Sequence, residues 1–103
     1  MNRTDDSLKR ATGVIARIIY DNAIWRPAAK EFGRLLVPLL DRHNVPADAH
    51  ARYMAEACSS HEYPVVQMAA RAAVEAGVTL IELQAIARLA ARTQPQEETH
   101  ETH

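Results

Sequence analysis

His50, Met54, Cys58 and His61 are the residues of this chain best placed to do chemistry. Spaced i, i+4, i+8 and i+11, they fall within about 80° of one another on a helix turning ~100° per residue. A row of His, Met and Cys suits copper(I), or zinc through its His and Cys members. The same row is also the face that a third helix should bury, because Met and Cys are ordinary core residues and His61 falls past the expected helix end. Packing is the reading adopted, so neither metal nor cofactor is expected. Cys58–His61 or Ser60–His61 could pair as nucleophile and base. A reactive cysteine needs surroundings that stabilise the thiolate, and only His61 offers that near Cys58. There is no glycine loop to cradle phosphate and no paired carboxylate, and His43, His100 and His103 read as loop and tail residues. With no complete catalytic constellation, a non-enzyme is expected.

The elements that would position these residues are helices. The 103 residues suit one domain. Ala, Leu, Arg and Glu are abundant and are good helix formers, while glycine is confined to Gly13, Gly33 and Gly77. An all-α fold is predicted, a compact bundle of about five short helices over residues 1–92, with residues 93–103 a disordered, acidic tail. The net charge is −1; without Glu97, Glu98 and Glu101 of the tail the remainder is basic by about two charges. That is far short of a nucleic-acid footprint. Cys58 is the single cysteine, so no intrachain disulfide can form. The first ten residues, MNRTDDSLKR, carry no apolar signal core. The longest apolar run, Leu35–Leu40, is interrupted by Pro38 and falls short of a membrane span. A cytoplasmic protein is expected.

The first helix is predicted over Asp6–Ile24, with N-cap oxygens from Thr4 to Ser7. Leu8, Ala11, Ile15, Ile18 and Ile19 form its apolar stripe and Val14 widens it. Pro27 suits the first turn of a second helix, whose buried face is Phe32, Leu35, Leu36, Leu39 and Leu40. Pro38 should kink or break that helix near Val37. Asn44-Val45-Pro46 should open the third helix, ending near Ser59, and Ser59–Pro64 should connect it to a fourth, Val65–Ala76. Gly77 reads as the left-handed residue that ends the fourth helix. Thr79-x-x-Glu82 is a capping box for the fifth, which runs to about Arg92 with Leu80, Leu83, Ala87 and Ala90 on one face.

Two resemblances lie in this last stretch. Ala73-x-x-x-Gly77-Val78, followed by Leu83 and Ile86, resembles the helix-turn-helix of DNA-binding proteins, covering Ala69–Ile86. That resemblance implies DNA contact through Arg71, Gln84, Arg88 and Arg92. Leu80, Ile81 and Glu82 stand where a reading helix needs groups that reach base edges. Arg71-Ala72-Ala73-x-x-Ala76-Gly77-Val78-Thr79-x-x-Glu82 is similar to the helix pair after the active site in the carboxymuconolactone decarboxylase and alkylhydroperoxidase D superfamily. That likeness implies an all-helical, self-associating protein. The superfamily's histidine is replaced here by Ala69, and its peroxidase branch's Cys-x-x-Cys pair is absent, so the likeness implies architecture without the activity.

What remains is surface. Ile81 falls on the outer side of the fifth helix with Ala85, Arg88 and Arg92, and Tyr20 and Trp25 lie off the main stripe of the first. Large apolar residues beside arginines are the composition of a protein–protein surface. The expected function is a small non-catalytic interaction or regulatory module that binds a protein partner, itself, or both. Trp25, Tyr20, Ile81, Arg88 and Arg92 would make the contacts, and a homodimer would form through the Ala-rich fourth and fifth helices. No membrane partner is expected; the alternatives are a DNA-binding regulator using Ala69–Ile86, with nucleic acid as its partner, and an enzyme or degenerate member of the carboxymuconolactone decarboxylase-like superfamily.

Overall fold

The computed structural model describes residues 3–21, 25–58 and 63–92. Within them the chain is five helices, α1 Arg3–Tyr20, α2 Trp25–Arg42, α3 His50–Ala57, α4 Tyr63–Glu75 and α5 Leu80–Ala91, with no strand. The predicted end of the first helix at Ile24, residues 59–62 of the predicted connector, His61 among them, and the acidic tail lie outside the described residues, whereas Tyr63 and Pro64, expected to end the connector, form the first turn of α4, where a proline needs no amide donor.

The helices form a closed ring of neighbours. α1 packs on α4, α4 on α3, α3 on α2, α2 on α5, and α5 again on α1, with α1 and α2 touching across it. The enclosed core is built from Ile15, Ile19, Phe32, Leu36, Leu40, Val66, Val78 and Leu83. Ten alanines among the described residues are buried with them. Small side chains let helix backbones approach closely, and α2 comes close to the backbone of α3 at Gly33. A Cβ there would collide with the carbonyl oxygen of Ala55, so α2 and α3 can cross where they do only over a residue without a side chain.

Both long helices differ from their predicted outlines. α1 begins earlier than the cap pattern predicts, because a carboxylate such as Asp6 suits the positive end of the helix dipole from inside the first turns as well as from the cap. Its buried face is centred on Thr12, Ile15, Ala16 and Ile19, while Val14 is 46% exposed. The stripe is displaced because α1 lies between α4 and α5. Thr12 is buried without cost, since its hydroxyl donates to the carbonyl of Leu8 at 2.9 Å. α2 starts at Trp25 and runs unbroken past Pro38. Pro38 and Arg34 both lie on the exposed side, where the carbonyl left without a donor faces solvent.

Asn44 closes α2; it does not open α3. It adopts φ 61°, the Asn44 amide donates to Asp41 at 3.0 Å, and the Val45 amide donates to Leu40 at 2.9 Å. This is a Schellman motif with Val45 buried behind it. α4 ends in the same way: Gly77 has φ 116°, its amide donates to Val74 at 3.0 Å and that of Val78 to Ala73 at 3.0 Å. α3 therefore begins only at His50, after a turn held by Arg52. The Arg52 guanidinium pairs with Asp41 and also donates to the carbonyl of Val45 at 3.4 Å.

Candidate functional site

The soft-ligand row is divided by the fold. Met54 and Cys58 point into the core and are fully or nearly buried. His50 stands exposed at the start of α3, its ring 6.2 Å from that of Tyr53. Among the described residues no group of three or more His, Cys, Asp or Glu could hold a metal ion. Burial pushes the Cys58 thiol up to about 12, the opposite of the shift a nucleophilic thiolate needs. Ala69, where the decarboxylase-like resemblance would place a histidine, is fully buried.

Tyr20 and Trp25 join the end of α1 to the start of α2. Their ring centroids are 4.9 Å apart, both are half-buried against the core, and the Arg26 guanidinium lies 5.0 Å from the centre of the Trp25 ring. The pair therefore joins α1 to α2 side chain to side chain. Most of the Leu35–Leu40 run is likewise taken up inside: Leu36, Leu39 and Leu40 are buried, and Leu35 and Val37 pack partly on the core.

α5 is different. Its inner face, Leu83, Ala87 and Ala90, is buried against α1 and α2. Its N-terminus is fixed by the capping box: the Glu82 amide donates to Thr79 Oγ1 at 3.1 Å and the Thr79 amide donates to Glu82 Oε1 at 3.0 Å. His43 Nε2 donates to the same carboxylate at 2.9 Å, tying the end of α2 to the start of α5. The Thr79 amide, then the Thr79 and His43 side chains, hold the Glu82 carboxyl below its ordinary value of 4.5 against the opposing effect of partial burial. Sequence reasoning left His43 as a loop residue; the capping box gave no sign that its glutamate had a second partner.

The outer face of this fixed helix carries Ile81, 79% exposed, and Leu89, 51% exposed, with Ala85, Arg88 and Arg92 also exposed. Leu89 was not singled out from the sequence, although it lies eight residues from Ile81 on the same ridge. Gln84 is half-buried beside them. Arg71 belongs to another surface: it lies on α4 beside the Glu75 carboxylate at 3.5 Å, in a shallow depression shared with His50 and with Met68, itself half-exposed. The four arginine and glutamine positions of the helix-turn-helix reading therefore divide, Gln84 and Arg88 on α5, Arg92 at its C-cap and Arg71 on α4.

Comparison of the chain with protein-family models, with curated proteins and with solved structures returned no match. Among the described residues no helix is long and apolar enough to cross a membrane.

Proposed function

We propose that the protein is a small, non-catalytic interaction or regulatory module that binds a protein partner, itself, or both, through the outer face of α5. The observation that carries this is Ile81, a large apolar residue left 79% exposed on a helix whose position is fixed from both ends of its first turn. Ile81 and Leu89 together expose apolar surface next to Arg88, in the proportions of an interface centre and rim. In this reading the homodimer expected through the Ala-rich fourth and fifth helices draws on the fifth. Ala69, Ala70 and Ala73 are spent against α1 and α3 within one chain, so self-association would also use α5.

The corner at Gly77 has the buried Ala73, Val78 and Leu83 of a helix-turn-helix, but an apolar ridge on the outer face of its second helix has nothing to contact in a groove lined with phosphate.

The test is affinity capture of the intact chain from the cells it comes from, comparing wild type with Ile81→Glu. Tyr53→Ser serves as a control at another exposed apolar site, on a helix that does not pack on α5. Proteins recovered with wild type and Tyr53→Ser but lost with Ile81→Glu are the expected result. Identical recovery with all three variants would end the proposal.

A further inference from the structure

We draw no further inference here: the strongest candidate, the open groove of about 220 Å³ between α2 and α3 lined by Lys30, Gly33, Arg34, Val37 and Ala55, is a mostly apolar surface whose Arg34 is already held by Glu31, and nothing in the structure shows what covers it.

Discussion

At Gly33 one added methyl group would meet the carbonyl oxygen of Ala55. Alanine is the better helix former by about 1 kcal/mol, yet Gly33→Ala should destabilise the protein by about 1–3 kcal/mol, because backbone must move to make room. Chemical denaturation measures this, and an unchanged or raised midpoint would show that the helices do not cross there. Cys58, with its thiol pushed up to about 12, should react with a thiol reagent at neutral pH only as fast as the chain unfolds; labelling within seconds would contradict its burial. Glu82 gives the pH dependence. Its folded-state carboxyl is held below 4.5, so the folded state favours the ionised form. The stabilisation is complete well above 4.5 and is lost as pH falls through the lower folded value. Glu82→Gln should therefore be less stable than wild type near neutrality, with the gap closing in acid. A gap independent of pH would refute a role for the charge. Of these residues the capping box was legible in the sequence, because both partners lie within one turn. The contact of Gly33 with Ala55 and that of His43 with Glu82 were not, since each joins residues far apart in the chain and depends on where two helices come to rest.

α5 separates two kinds of apolar residue on one element. Leu83 is fully buried, and Leu83→Ala should cost about 2–5 kcal/mol. Ile81→Glu and Leu89→Glu should each stay within about 0.5 kcal/mol of wild type. A loss of several kcal/mol at Ile81 would mean that the fold itself uses that side chain. The helical period alone placed Ile81 opposite the Leu83–Ala87 face. Leu89 was harder to place, because whether an edge position is covered depends on which neighbours flank the helix. Here α1 and α2 cover Leu80 and Ile86 in part and leave Leu89 half exposed. The boundaries missed in α2 and α3 have a similar origin. Asn44-Val45-Pro46 can open a helix or close one, and the buried Val45 behind the left-handed Asn44 settles it as a closure.

For the whole molecule, helix number and class followed from composition and period, while the order of packing did not. The consecutive helices α4 and α5 are not each other's main partners; each lies against α1, and α5 reaches α2 on its other side. That ring consumes the alanine stripe of α4, which the sequence alone offered as a dimer surface, and leaves the apolar ridge of α5 outside. The central claim is that this ridge is where the protein meets its partner. The most direct measurement places a photo-reactive amino acid at position 81, at position 89 and, as a control, at the exposed position 48, in the chain expressed in its own cells. A discrete crosslinked protein from positions 81 and 89, absent from position 48, is the predicted result. Crosslinks from all three positions alike, or none from α5, would contradict it.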